Sequence, residues 1–159
     1  MVTVRVAVPA DAPAMCAVIN PIIAAGGTTA HEQPFDSARM IAWNIAPPGL
    51  VCCMVAEVAG VIEGFQVLAQ EDRLPAGWAG IGSFVRRQGL GIGQHLWAAT
   101  HKAALAAGVA TIDATIRADN VPGLAYYSGL GFADYDVIRA VPLRDGRPVD
   151  RIRKRFDLT

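Results

Sequence analysis

Little in this chain would send it to a membrane, a secretory route or a nucleic acid. No apolar run approaches the ~20 residues that span a bilayer. Residues 1–9 carry neither a hydrophobic signal core nor a cleavage pattern. Only three cysteines occur, Cys16, Cys52 and Cys53; two are adjacent and none forms a Cys-x-x-Cys pair. A reduced, cytoplasmic protein is the expectation. Charged residues make up 18%, and the 14 basic and 14 acidic residues cancel. That excludes nucleic-acid binding through a general positive field, but not a local basic site for a small anion. His31, His95 and His101 have no metal-ligand spacing, so no metal is expected.

What is abundant is apolar bulk. Hydrophobic residues form 53% of 159, which rules out intrinsic disorder and fits one domain over residues 1–159. Area scaling gives a folded surface of about 7,600 Å² against roughly 24,000 Å² unfolded. About two-thirds can thus be buried without disulfides or metals.

Residues 3–8 alternate apolar and polar, as a strand does. Asp11 is placed to cap a helix carrying Met15, Val18, Ile19, Ile22 and Ile23, ended by Gly26 and Gly27. Residues 28–36 are polar and irregular, and Asp36 or Ser37 can cap a second short helix. After Pro47, Pro48 and Gly49, residues 50–58 and 61–68 read as a hairpin across Ala59 and Gly60, and 79–85 as a further strand. Residues 92–107 are the clearest helix, with Ile92, Leu96, Ala99, Ala103 and Ala106 on one face. A strand over 109–116, a short helix over 121–128 and a hairpin of 132–142 with 148–158 complete a mixed α/β chain without repeats or linkers.

The chemistry concentrates where a strand runs into Arg86, Arg87, Gln88, Gly89, Leu90, Gly91, Ile92, Gly93 and Gln94. Three alternating glycines open the best helix. Glycine permits close backbone approach, and the free amides and positive dipole end of a helix start attract an anion, phosphate above all. A Walker loop is excluded because no lysine is present, and the dinucleotide fingerprint because position 94 is Gln94. The plain alternative is a glycine turn that only allows tight packing.

A second segment, Asn120 through Phe132, decides between them. Together the two segments resemble the GNAT superfamily of acyl-CoA-dependent N-acetyltransferases. That family's Gln/Arg-x-x-Gly-x-Gly/Ala turn, which binds the coenzyme A pyrophosphate, is matched by Gln88, Gly91 and Gly93. Arg86, Gly89 and Gly91 fit as well, but the first register puts Leu96 where the family has its helix leucine. Its later signature, an Asn, a Tyr seven residues on and then Gly-Phe, is matched by Asn120, Tyr127, Gly131 and Phe132. The resemblance covers nearly the whole chain. It implies an α/β (α+β) fold with a mixed, mostly antiparallel sheet of about seven strands flanked by four helices. The N-terminal region and the final hairpin look closest to the phosphinothricin acetyltransferase-like branch, whose members acetylate the amine of small amino-acid-like substrates.

The resemblance further implies acetyl-CoA as co-substrate, cradled by residues 86–94 with Asn120 and Tyr127 beside it. Backbone amides near Phe84 and Val85 would polarise the thioester carbonyl. Tyr127 would protonate the departing thiolate, a phenol of pKa about 10 facing a thiol of about 8.5. Its other reading is amphipathic filler, as Tyr126 is taken to be. Related enzymes of the branch often place a carboxylate base on the strand before the loop, and residues 79–85 hold none. Glu32 is the candidate base, from the polar loop after the first helix. Asp113, Glu63 and Glu71 are others; all four read equally as structural carboxylates, and a water chain can serve instead. The expected partner is a small amine, with no nucleic acid or membrane, and a homodimer is left open. Two rivals stand beside the enzyme: a non-catalytic acyl-CoA-binding sensor, and an N-acetyltransferase of protein N-termini or lysines.

Overall fold

In the computed structural model, which describes all residues Met1–Thr159, seven strands form one sheet in the order β1-β2-β3-β4-β5-β7-β6. They are β1 (Val2–Val6), β2 (Leu50–Val58), β3 (Val61–Ala69), β4 (Trp78–Val85), β5 (Thr111–Arg117), β6 (Ala133–Pro142) and β7 (Pro148–Asp157). Only β4 and β5 run parallel; the other neighbours are antiparallel. Four helices flank the sheet: α1 (Ala12–Ala25), α2 (Ser37–Met40, continued by a π turn over Ile41–Ile45), α3 (Ile92–Ala106) and α4 (Val121–Leu130). The accessible surface is 7965 Å², close to what the chain length demands.

Local rules explain most elements. Ala59 and Gly60 both have positive φ, +50° and +78°, the conformation a two-residue hairpin turn requires between β2 and β3. Asp36 caps α2, its carboxylate accepting from the Arg39 amide at 2.8 Å. Met15, Ile19 and Met40 of α1 and α2 pack on one face of the sheet against Val55 and Phe65. On the other face Trp97, Ala104 and Phe132 pack against Leu68 and Ile112.

Two expectations change. Asp11 precedes α1 but makes no cap bond to it. Its carboxylate instead takes a bidentate fork from Arg5, both bonds 2.8 Å, and the Val8 amide. A charged fork is stronger than a single amide bond, and Arg5 holds the Asp11 carboxyl below its usual range. On α3, the buried stripe is Ile92, Leu96, Thr100 and Ala104, while Ala106 is exposed. Steps of four residues drift about 40° each around a helix of 3.6 residues per turn, so the stripe slants across the axis. That slant follows the twist of the sheet below.

The feature that makes a site is the β4–β5 pairing. It comprises Trp78 with Thr111, Ala79 with Ile112 and Gly80 with Asp113, and no further pairs. Beyond Gly80 the strands part. The Arg86 amide still donates to the Glu63 carbonyl of β3 at 2.8 Å. Antiparallel donors alternate along a strand, so the Val85 amide faces the opposite, open edge.

Candidate active site

A cavity of about 660 Å³ fills this opening. Its walls are the end of α1 with Thr28 and Thr29, the β4 residues Ser83, Phe84 and Val85, the glycine loop, and the start of α4. Gly89 and Gly91 stand in the left-handed region at φ +82° and +71°. Gly91 is the N-cap of α3, so the unpaired amides of the first turn open toward the cavity it lines. Arg86 and Arg87 line the same wall. Arg87 donates to Glu63 at 2.9 Å, while the second oxygen of that buried carboxylate has no hydrogen-bond partner. Two guanidiniums against one carboxylate leave positive charge at a helix start, which suits an anion.

Gly93 serves differently. A Cβ there would sit 2.7 Å from the Tyr126 ring. Glycine thus admits Tyr126, whose hydroxyl donates to the Gly93 carbonyl at 2.7 Å and locks α4 onto α3. Asn120 is used at both ends of its amide: the oxygen accepts from the Gly123 amide at 3.0 Å, and the nitrogen donates to the Thr28 carbonyl at 2.9 Å. It caps α4 and ties it to the loop after α1. A Cβ at Gly123 would meet that amide at 2.3 Å, so only glycine fits there.

The two tyrosines part ways. Tyr126 lines the cavity, contrary to its reading as filler, while Tyr127 is buried in the core behind it. Residues adjacent in a helix point about 100° apart, so a pair can serve two surfaces. The Tyr127 hydroxyl lies 2.8 Å from Ser83 Oγ, and Ser83 faces the cavity. Buried Gln66 donates to Ser83 at 2.8 Å and to Tyr126 at 3.1 Å. Burial pushes the Tyr127 phenol well above its ordinary value, only partly opposed by the Ser83 bond. Tyr127 therefore keeps its proton at neutral pH, as a donor must.

The carboxylates proposed as bases are all engaged elsewhere. Glu32 is exposed and accepts from the Arg144 amide at 2.9 and 3.1 Å, tying the α1–α2 loop to the β6–β7 turn. Asp113 is fully buried, bonded by Tyr135 and Thr115 and flanked by Arg73 and Arg153. Glu71 pairs with Arg73, and Glu63 with Arg87. None of the four lines the cavity, and neither do Leu90 and Tyr127 of the residues expected at the coenzyme.

The family model described as the acetyltransferase (GNAT) family matches residues 22–132, well over half of the chain and all of the cavity walls beyond Pro21. The chain belongs to the acetyltransferase (GNAT) family. As a GNAT protein it is an acetyl-CoA-dependent N-acetyltransferase. No curated protein matches it. Among solved structures, yncA of Salmonella typhimurium, with its cofactor acetyl-CoA, superposes at a TM-score of 0.86 and 23% identity over 99% of this chain and 94% of its own. A phosphinothricin acetyltransferase from Sinorhizobium meliloti, in complex with acetyl-CoA, gives 0.86 and 22%, covering 99% and 88%. The ribosomal-protein-alanine N-acetyltransferase of Brucella melitensis gives 0.88 and 24%, covering 98% and 99%. These likenesses are of fold.

The residues present fit acetyl-CoA: free helix-start amides, left-handed glycines and two arginines suit its pyrophosphate. The GNAT cavity is also lined by Ser83, Tyr126 and Gly123, with Gln66 buried behind them, and none of these four stands out in the family motifs. Gln66 alone carried a signal, an amide inside the apolar run of β3. No helix of the protein is long and apolar enough to cross a membrane.

Proposed function

We propose that this GNAT enzyme acetylates the primary amine of a small, amino-acid-like acceptor by direct attack. The observation that carries the acceptor class is a pair of arginines without carboxylate partners. Arg39 lies over the rings of Phe35 and Trp43 and donates only to the carbonyls of Gln33 and Pro34. Arg151, on β7, acts with Arg39 on the same neighbour, His31. Neither lines the cavity, but unneutralised guanidiniums around His31, two residues beyond the cavity wall Thr29, suit a carboxylate on the acceptor. Direct attack is favoured because the cysteines are buried and protonated: burial raises all three, Cys53 to about 12.

Bound acetyl-CoA supplies the activated acetyl thioester. The Val85 amide, free on the open edge of β4, can donate to charge building on the carbonyl oxygen. The leaving sulfur needs a proton, and the hydroxyl pair supports one. Ser83 Oγ accepts from Gln66 and can accept from Tyr127, which leaves its own hydrogen for the cavity. Tyr127 then acts through Ser83.

An amine panel with acetyl-CoA, followed by released thiol, tests the acceptor. Free amino acids should turn over faster than their carboxamides. A preference for peptide N-termini, or indifference to the carboxylate, would turn the assignment to a protein acetyltransferase or another amine class. Within the same assay Tyr127→Phe should lower kcat about 10- to 100-fold, the low end for general acids because a thiolate departs tolerably unaided. Coenzyme affinity should hold, and Ser83→Ala should add little on top, since one chain of donors is broken once. A fully active Tyr127→Phe protein removes the relay.

A further inference from the structure

We propose that His31 is the catalytic base, accepting a proton from the acceptor's amine nitrogen as that nitrogen bonds to the acetyl carbon. The inference rests on the acetyltransferase reading above and names the group that reading lacks.

Position comes first. His31 follows Thr28 and Thr29, which line the cavity, and its amide is fixed by Thr29 Oγ1 at 3.1 Å. Its ring stands edge-on to Phe35 at 5.1 Å, with Trp43 at 5.9 Å and Phe84 at 6.0 Å. Phe84 is itself a wall of the cavity. His31 is not itself a wall of the cavity, but it lies two residues beyond Thr29 and its ring is 6.0 Å from that of Phe84, both of which are.

Availability comes second. The four candidate carboxylates are each occupied by other partners, as described. The other histidines are committed: His95 Nδ1 contacts the Gly91 carbonyl at 2.7 Å, and His101 stacks on Trp97 at 5.1 Å. The His31 ring is half-buried and makes no hydrogen bond, while its nitrogens are not among the sealed polar atoms of the protein. A ring nitrogen in that state is a free acceptor.

Charge state comes third. From α2 the ring faces Arg39 and from β7 Arg151; β4 brings Phe84, the π turn brings Trp43, and neighbouring Glu32 is held by the Arg144 amide. Burial first, then the two arginines, lowers the imidazole below its ordinary value, so it is unprotonated at pH 7. An acceptor carboxylate drawn to the arginines would bring its amine toward the ring. The acceptor's ammonium first yields one proton to solvent, since only the free amine has a lone pair to attack. As nitrogen bonds to the acetyl carbon it becomes acidic, and one N–H proton passes to the imidazole. The C–S bond breaks with the electron pair on sulfur, which takes its proton from the Ser83–Tyr127 pair. His31 then releases its proton to solvent, and the Ser83–Tyr127 pair regains one from solvent.

The test combines kinetics with titration. In the wild type kcat/KM should fall below pH 6.5, where the imidazole protonates, and NMR of the ligand-free protein should give His31 the same midpoint. His31→Gln should lose about 100-fold in kcat, drop that acid limb and keep its acetyl-CoA affinity by calorimetry. His31→Ala should be partly rescued by added imidazole, which a merely structural gap would not allow. Should His31→Gln retain kcat within threefold with the limb intact, or imidazole fail to rescue a folded His31→Ala, His31 is not the base and the enzyme reading stands. A wild type that acetylates no amine while binding acetyl-CoA overturns both.

Discussion

Gly91→Val should abolish measurable acetyl-CoA binding, by at least about 100-fold in calorimetry, in a protein that still folds. Gly91 sits at φ +71° as the cap of α3. Left-handed backbone costs an ordinary residue about 1–2 kcal/mol, and a β-branched one more. The fold can bear that, since domains hold about 5–15 kcal/mol in reserve and a Cβ here would meet only the His95 ring at an ordinary 3.7 Å. Relief comes by turning the peptides on either side of residue 91, which swings the phosphate-facing amides away. Gly89 makes the contrast: its φ is +82°, but open space surrounds it, and Ala there should weaken binding less. Wild-type affinity in folded Gly91→Val would refute the cradle.

The largest effect on stability is expected at Asp113. Its carboxylate has no solvent exposure and satisfies Tyr135, Thr115 and two guanidiniums. Asp113→Ala leaves the half-buried hydroxyls of Tyr135 and Thr115 and the largely buried Arg153 without their shared acceptor. Breaking a buried pair from one side costs about 3–5 kcal/mol. Urea unfolding should show that loss as a lower midpoint with an unchanged slope. A loss under about 1.5 kcal/mol, the worth of an ordinary hydrogen bond, would show that Arg73 and Arg153 find water instead.

These residues also show what a sequence can reveal. The glycine loop was legible because its rule is local: glycines, a helix start and arginines lie within nine positions. Ser83 and Gln66 were not, because their meeting depends on the β3–β4 register, which sets Gln66 opposite Ser83. Tyr126 was misjudged for a similar reason. Its neighbour matched the family spacing, but which ring reaches the cavity depends on how α4 is rotated against Gly93. Glu32 looked like pocket lining because its loop is polar, whereas its partner Arg144 lies 112 residues away. The strands and helices themselves were nearly all legible, since periodicity and turn residues act over a few positions.

The short β4–β5 seam has a mechanical consequence. Strands β1–β4 form one continuous ladder and β5, β7 and β6 another, and three residue pairs join them. Elsewhere the two halves meet through the apolar layer under α3 and through side-chain bonds such as Tyr127–Ser83, Asn120–Thr28 and Arg73–Asp113. Ladders resist rotation because hydrogen bonds are directional, while apolar contact is not. With only three ladder pairs at the seam, the spacing of the two halves around the cavity is held by side chains rather than by backbone, so it can be retuned by substitution without rebuilding a strand.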